Sequence, residues 1–559
     1  MMRKENLRVD ALLIGYETNE NLGLRSVMAY LQESGYNIVL VPFFPGNDES
    51  IIEAVRAYNP RLIGFSVIFQ FTLEEFGQLM QGLRANGVKA HFTAGGHFPS
   101  LRPELTMQLI PELDSVVRFE GELTLAELLE HLEQPQHWEQ IQSLAYREGS
   151  EIIVTQLRPL VSDLDSLPPV YRDEPQEVGF GVKTASMLAS RGCLYNCSFC
   201  SIRQFYGSVP GALRRVRSPQ SVVEEMLVLF NDKGVRYFSF QDDDFAAKTK
   251  QQRQWLQSFL KGLSETGLAN NIRWKISCRV DDLESEILKK MLDHGLMAVY
   301  LGVESGSETG LRTLNKKVNV DQNLKSINLL KSNNVAMAIG FMLFDPSSTT
   351  DTIHENLNFL KAVGEDGYFP INFCKMLPYA GTPIESELRD AGRLKGDVTQ
   401  PDYNFLDERL DWYESLTKLI FTRRNFSPDG TIMLLQEADF RYRLAESFGF
   451  KGQTESYNKM LRYLISKSNM DTLQTLRELL YAVMSQEINY LLEEQNTIME
   501  IAERQWRNEM EIEVELKSQF MEALPLLNNL PNPHLPQSKD SYMPFNGSGV
   551  QIPSATPKS

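Results

Sequence analysis

Residues 189–207 read ASRGCLYNCSFCSIRQFYG, and three of the chain's five cysteines, Cys193, Cys197 and Cys200, fall within eight of these residues. A thiolate is a soft ligand suited to zinc or to iron–sulfur clusters. Spaced C-x3-C-x2-C directly after a strand-like run, three cysteines can hold three corners of a cubane cluster from one loop. Structural zinc takes four protein ligands, and no fourth cysteine or histidine lies nearby. His97, Cys278 and Cys374 are far along the chain, so zinc stays open only if one of them approaches in space. A cluster held by three thiolates leaves one iron with an open position. Such a position is useful only where a substrate or cofactor must bind.

Working outward, residues 184 to about 383 alternate strand and helix signals. The strand candidates are ASMLAS, RYFSFQ, RWKISC, MAVYLGV, AMAIGFML and INFCKML. Helical stretches lie between them at 219–230, 252–263, 284–292, 320–330 and 352–360. The first is well marked, with Ser218 as N-cap, Pro219 in the first turn and Glu224 and Glu225 soon after. Six such units form a parallel barrel or part of one, with chemistry at the carboxyl ends of the strands.

Residues 9 to about 130 alternate with a different rhythm: VDALLIGY, YNIVLVPF, RLIGFSVIF, KAHFTAGG and LDSVVRF as strands, with amphipathic helices between. Apolar strands of this kind imply a parallel sheet covered by helices on both faces. Ligands of such a sheet sit at its carboxyl edge. A Pro-rich crossing around Pro168 and Pro169 marks a boundary. Beyond about Gly396 strand signals fade, and 407–423, 439–446, 455–465 and 471–520 read as helices. The Pro-, Ser- and Asn-rich tail 531–559 reads as disordered. No internal repeat is visible.

The expected architecture is therefore α/β. A flavodoxin-like parallel-sheet domain at 1–150 and a linker at 151–180 precede a partial (β/α)6 barrel at 181–395. A mainly helical region at 396–530 precedes the tail at 531–559.

Lys and Arg number 56 against 73 Asp and Glu, a net charge of −17. That balance disfavours general binding to nucleic acid or anionic membranes. The opening MMRKENLRVDALLIG lacks a signal-peptide run, and no apolar run approaches the ~18 residues of a membrane helix. With three of five cysteines clustered and no disulfide framework, a reducing cytoplasmic location is expected.

CLYNCSFC, with Phe199 as the aromatic before the last cysteine, resembles the C-x3-C-x-aromatic-C signature of the radical S-adenosylmethionine (radical SAM) enzymes. The resemblance implies a 4Fe-4S cluster on Cys193, Cys197 and Cys200 and SAM chelated at the open iron. It further implies reductive cleavage of SAM to methionine and a 5'-deoxyadenosyl radical that abstracts a hydrogen atom. Other stretches resemble the family's SAM-contacting segments. In FQDDDF, Asp242 and Asp243 are the candidates for the SAM ammonium, the other reading being a solvated helix-capping turn. Arg279 of ISCRV suits the SAM carboxylate, or else a surface salt bridge. In GVESGSE, Glu304 and Ser305 would hold ribose or amino acid, with Gly306 allowing close approach. The segment from Pro378 to Pro383 closes the barrel, and Cys278 and Cys374 read as core residues.

The front domain resembles the cobalamin-binding domain of one large branch of these enzymes, through NENLGLRSVMAYLQESGYNIVLVPF, NPRLIGFSVIF, TAGGHFPSLRPEL and DSVVRFEGELTLAELL. The two resemblances together span roughly residues 9–390. Gly95, Gly96 and Gly121 at strand ends would admit the corrin, with Ser66 reaching it or its tail. The D-x-H-x-x-G motif that supplies a histidine to cobalt is absent, and His97 reads as a loop residue. The branch implies a cobalamin-dependent methyltransferase, acting on an unactivated carbon of a small molecule or peptide and served by an electron donor such as flavodoxin or ferredoxin. The alternatives are a radical cyclisation or rearrangement, or a non-catalytic iron–sulfur scaffold or redox sensor.

Overall fold

The computed structural model describes residues 8–245, 248–449, 455–485 and 495–527. Residues 486–494 of the expected long helix and the tail 531–559 lie outside the described residues. By contacts the chain divides into two compact units, 1–174 with 190–218 and 378–402, and 175–189 with 219–377 and 403–559.

The first unit is built on β1 (Ala11–Tyr16), α1 (Leu22–Glu33), β2 (Ile38–Phe43), α2 (Asp48–Tyr58), β3 (Leu62–Ser66) and α3 (Leu73–Ala85), followed by β4 (His91–Gly95), α4 (His97–Leu101), α5 (Pro103–Leu109), β5 (Ser115–Val117), α6 (Glu122–Glu130), β6 (Leu144–Glu148) and β7 (Glu151–Val154). The strands form one sheet in the order β2-β1-β3-β4-β5-β6-β7. The first five run parallel in the 2-1-3-4-5 order of flavodoxin-like sheets, while β6 and β7 add an antiparallel edge. The central strands β1 and β3 are apolar almost throughout because both faces are covered. On β1, Leu12 and Ile14 join Ile63, Phe65, Phe76 and Phe92 on one side. Ala11 and Leu13 join Leu24, Met28, Leu125 and Leu128 on the other. Truncating a side chain such as Leu13 to alanine would cost about 2–5 kcal/mol.

The second unit opens with β8 (Lys183–Met187). The chain then runs through β9 (Ser190–Arg191), α7 (Ser201–Gly207) and β10 (Arg215–Val216), which pack with the first unit. It resumes the second unit with α8 (Pro219–Asp232), β11 (Val235–Phe240), α9 (Lys250–Glu265), β12 (Arg273–Arg279), α10 (Ser285–Leu292), β13 (Leu296–Glu304), α11 (Glu308–Thr313), α12 (Val320–Ser332), β14 (Ala336–Phe344), α13 (Thr350–Gly364) and β15 (Cys374–Lys375). These strands make a curled, all-parallel half-barrel sheet in strict spatial order β8-β11-β12-β13-β14-β15. All nine residues of β14 are buried, as a central strand requires.

After α14 (Pro383–Asp390) in the first unit come four long helices of the second, α15 (Glu408–Phe426), α16 (Thr431–Ser447), α17 (Glu455–Met484) and α18 (Gln495–Leu527). Leu435, Tyr442, Leu461, Leu464, Ile512 and Leu516 share a core among them. Two bounds differ from the sequence reading. α16 starts at Thr431, earlier than residue 439, and α17 runs unbroken through 466–470, which the sequence reading left between two helices. Their partners explain the continuity: buried Asn469 donates from Nδ2 to the carbonyls of Gly364 and Phe369 at 2.8 and 3.0 Å and accepts from the Ile371 N–H at 2.8 Å.

The two units also differ from the sequential boundaries expected from sequence. β7 carries the first sheet to Val154, and the cysteine stretch, expected in the barrel segment 181–395, is compact with the first unit. Among the described residues no helix is long and apolar enough to cross a membrane.

Candidate cofactor site

The cysteine loop is closed at its base by antiparallel pairing of β9 with β10, Arg191 opposite Arg215 and Ser190 opposite Val216. Gly192 follows with φ +85°, and a Cβ there would overlap the Leu213 carbonyl oxygen, so only glycine fits the entry to the loop. Cys193 and Cys200 are half-buried, Cys197 is buried, and none of the three is in a disulfide. The Cys200 N–H donates to the Cys197 carbonyl at 3.3 Å, bending the chain so that α7 begins at Ser201. Phe199 is half-buried between them.

Three thiols on one loop, with no fourth ligand in the stretch, suit a cluster whose irons each take one thiolate. Among the described residues no three His, Cys, Asp or Glu side chains converge on a single ion site. Cys278 and Cys374 behave as core thiols. Burial, then nearby carboxylates, push Cys278 well up, and burial with Glu304 pushes Cys374 up to about 12, so both stay protonated near neutral pH.

The carboxyl edge of the first sheet carries the residues expected around a corrin. Ser66 ends β3, and its hydroxyl accepts from Asn21 Nδ2 at 3.2 Å. Gly95 ends β4, where a Cβ would meet only the Val117 carbonyl, at 3.3 Å. Gly96 is at φ +117°, and a Cβ would overlap the Val67 carbonyl oxygen, so this position is glycine for reasons internal to the fold. Gly121 precedes α6, and a Cβ there would press on Val27 Cγ2 at 3.3 Å, so its smallness lets α1 and α6 pack. His97 opens α4 with its ring 4.4 Å from that of Phe205. Its Nδ1 is buried with no hydrogen-bond partner among the described residues, and burial lowers the imidazole to about 4. The edge thus combines an orphaned ring nitrogen with a glycine whose α-carbon faces little besides one carbonyl, features that fit a large flat ligand.

In the second unit the expected SAM contacts differ in burial and in the partners that hold them. Asp242 is buried at the end of β11, and its Oδ2 accepts the Ala189 N–H at 3.1 Å. Asp243 is exposed, whereas Asp244, not singled out from the sequence, is buried. Arg279 ends β12, buried, with Nε donating to Asp281 Oδ1 at 2.9 Å and a second nitrogen donating to the Lys316 carbonyl. Glu304 ends β13 in the left-handed region at φ +66°, and Lys316 Nζ donates to its Oε1 at 3.1 Å.

Glycines on two strands keep room for the Glu304 carboxylate. A Cβ on Gly302 would stand 2.9 Å from Oε1, and one on Gly340 would stand 3.2 Å from Oε2. Ser305 is fully buried, with its hydroxyl donating to Asn356 Oδ1 at 3.1 Å, and the Gly306 N–H donates to the same oxygen at 2.7 Å. Asn323 Nδ2 donates to the Ser305 carbonyl at 2.9 Å. Ser305 and Gly306 thus fix the turn, and Glu304 is the group the turn presents. Lys316, Asn323 and Asn356, which carry out this positioning, gave no signal in the sequence because each acts from a separate helix or loop.

Residues 14–129 match the B12 binding domain, and residues 187–360 match the Radical SAM superfamily. An uncharacterized methyltransferase of Pyrococcus horikoshii is 27% identical over 343 residues, 60% of this chain and 70% of that one. The anaerobic magnesium-protoporphyrin IX monomethyl ester cyclase of Cereibacter sphaeroides is 28% identical over 357 residues, 61% of this chain and 55% of that one. Among solved structures, the cobalamin-dependent S-adenosylmethionine radical enzyme OxsB with aqua-cobalamin and S-adenosylmethionine bound aligns over 93% of this chain and 81% of that one, with TM-score 0.67 and 17% identity. The radical S-adenosylmethionine methyltransferase TsrM from Kitasatospora setae aligns over 69% of this chain and 75% of that one, with TM-score 0.57 and 16% identity. At these identities the structural matches establish the fold, and the two family matches establish the domains. The chain is a member of the radical SAM superfamily that carries a B12-binding domain ahead of its barrel.

Proposed function

We propose that this protein is a cobalamin-dependent radical SAM methyltransferase that methylates an unactivated carbon of a metabolite or peptide. The observation that carries this reading is the compact unit in which the three-cysteine loop packs with the B12-binding sheet. When bound, the cofactors would supply reductive cleavage of SAM and a transferable methyl group. The hard chemistry is theirs, and the protein's part is to bind, orient and exclude water.

Cys193, Cys197 and Cys200 would hold the cluster, each as a thiolate. Phe199, between two of them, would shield the cluster from water. Glu304, held by Lys316 and given room by Gly302 and Gly340, would receive the SAM ammonium. Asp242 and Asp243 are further candidates for that group, and Asp243 has the exposure for it. Arg279 at the end of β12 would face the SAM carboxylate, and Ser305 would act by fixing the turn behind Glu304. Gly95, Gly96, Gly121 and Ser66 would border the corrin. A cytoplasmic location and a separate one-electron donor such as flavodoxin or ferredoxin go with this chemistry.

A second reading has its own support, because the Cereibacter sphaeroides cyclase is as similar to this chain as the methyltransferase of Pyrococcus horikoshii. Incubating anaerobically reconstituted protein with methyl-labelled SAM, a reductant and candidate substrates separates the two. Label in the product supports methyl transfer. Deoxyadenosine formed with product but without label supports cyclisation or rearrangement.

A further inference from the structure

Two arginines bracket the cysteine loop, and both donate to the Glu120 carboxylate, Arg191 reaching Glu122 as well. Arg191, two residues before Cys193, donates from Nη1 to Glu120 Oε1 at 3.0 Å and from Nη2 to Glu122 Oε1 at 2.7 Å. Arg215, at the far end of the loop, donates from Nη1 to Glu120 Oε1 and Oε2 at 2.8 and 2.9 Å. Ser26 of α1 donates to Glu122 Oε1 at 2.7 Å, and the Val161 N–H donates to Glu120 Oε2 at 2.9 Å. The side chains are closed to water, 14% exposed for Arg191, 8% for Glu120, 3% for Glu122 and 4% for Arg215. Two positive and two negative charges balance.

The carboxylates sit on a turn that leads back to the corrin edge. Phe119, the residue before Glu120, is left-handed at φ +64°, a conformation that costs a non-glycine residue free energy and must be held by its surroundings. Its N–H donates to Ser100 Oγ at 2.7 Å, and Ser100 Oγ donates in turn to the Gly96 carbonyl at 2.6 Å. A second tie is apolar. Phe205 of α7, just after Cys200, meets the rings of Phe119 and His97 at 5.2 and 4.4 Å, in a small core with Leu160 and Val209. A continuous chain of contacts therefore runs from Gly96 through Ser100, Phe119 and Glu120 to both ends of the cysteine loop.

We propose that Glu120, Glu122, Arg191 and Arg215 form a charge clasp that orders the cysteine loop before any cluster is present, and that occupancy of the corrin edge tightens it. The four are positioning residues, and none need touch cofactor. If corrinoid binding orders the loop, loop order strengthens corrinoid binding by the same factor. The second half of the proposal rests on the B12-binding reading, and the first half does not.

The test is hydrogen exchange on the full-length protein without cluster, with and without hydroxocobalamin. In the wild type, peptides covering 190–216 should slow at least ten-fold when hydroxocobalamin is added. In Glu120→Gln the same peptides should exchange at least ten-fold faster than wild type without the corrinoid and gain less than two-fold from it. Peptides from β1 and β3 should keep their wild-type rates. If Glu120→Gln does not fold, Arg191→Lys, which keeps the charge and loses the fork, is read the same way, with Glu122→Asp expected to recover most of the protection. Wild-type exchange of the loop in the folded Glu120→Gln protein overturns the clasp. Bound hydroxocobalamin with no change in the wild-type loop overturns the coupling. If the visible spectrum shows that hydroxocobalamin does not bind, the cofactor reading fails, and the clasp is still decided by the corrinoid-free comparison.

Discussion

Lys316 Nζ stands 3.1 Å from Glu304 Oε1, with the two side chains 4% and 14% exposed. The pair forms at the end of β13, where the pairing with β14 slips between Gly302 and Glu304 and the backbone at Glu304 is left-handed. A carboxylate placed this way is aimed by its backbone and held in place by the lysine beside it.

Removing the lysine should therefore expose what the pair is for. Lys316→Met leaves the Glu304 charge nearly buried without its cation and should destabilise the protein by about 3–5 kcal/mol, read from urea unfolding. Adding Glu304→Gln in the double variant should recover most of that loss. Glu304→Gln alone should weaken SAM binding at least ten-fold in equilibrium dialysis. If SAM affinity is unchanged in that variant, Glu304 has no part in holding SAM.

The glycine pair at the end of β4 separates structure from ligand. Gly96→Ala meets both a left-handed backbone and the Val67 carbonyl, and should cost more than about 2 kcal/mol whether or not cobalamin is added. Gly95→Ala meets one carbonyl at 3.3 Å and should change the apoprotein's stability by less than about 1 kcal/mol. Its effect should fall on hydroxocobalamin affinity, lowered at least ten-fold in a spectrophotometric titration. Unchanged affinity in Gly95→Ala would move the corrin away from this edge.

The five cysteines should sort into two classes by iron content. Alanine at Cys193, Cys197 or Cys200 should abolish the 4Fe-4S signal of anaerobically reconstituted protein and all SAM cleavage. Alanine at Cys278 or Cys374 should leave iron and sulfide at wild-type levels, since burial keeps both thiols protonated. Loss of iron in Cys374→Ala would make it the fourth ligand and remove the open iron position.

What was legible in the sequence follows from how local each signal is. The parallel strands could be read because burial on both faces leaves an uninterrupted apolar run, as in β14. The cysteine trio could be read because its ligands share one loop. The clasp could not, because Arg191 and Glu122 lie 69 residues apart and each looks like an ordinary surface charge in its own stretch. The three aspartates of FQDDDF show the same limit: the segment after β11 buries Asp242 and Asp244 and exposes Asp243, a distinction that composition does not carry. Within α17, Asn469 falls in the 466–470 gap between two expected helices, and the partners that hold it come from another part of the chain.

Acid should loosen the first unit before it loosens ordinary salt bridges. His91, whose Nε2 lies 2.8 Å from Ser115 Oγ, and His97 against Phe205 are both lowered to about 4, chiefly by burial. In the unfolded chain each titrates near the ordinary 6.5, so below that pH the unfolded state takes up protons that the folded state refuses. The stabilisation is complete above about pH 6.5 and is lost as pH falls toward 4, where each histidine contributes a deficit of up to about 3 kcal/mol. Thermal unfolding of the wild type should drop steeply between pH 7 and pH 5, and His97→Gln should flatten that dependence because its amide takes no proton. Glu122 works in the opposite range: its lowered value keeps its contribution intact down to about pH 4.5, near the ordinary carboxylate value, and yields it only as pH falls through the folded value. A drop between pH 7 and 5 that survives both His97→Gln and His91→Gln would place the acid-sensitive group elsewhere in the fold.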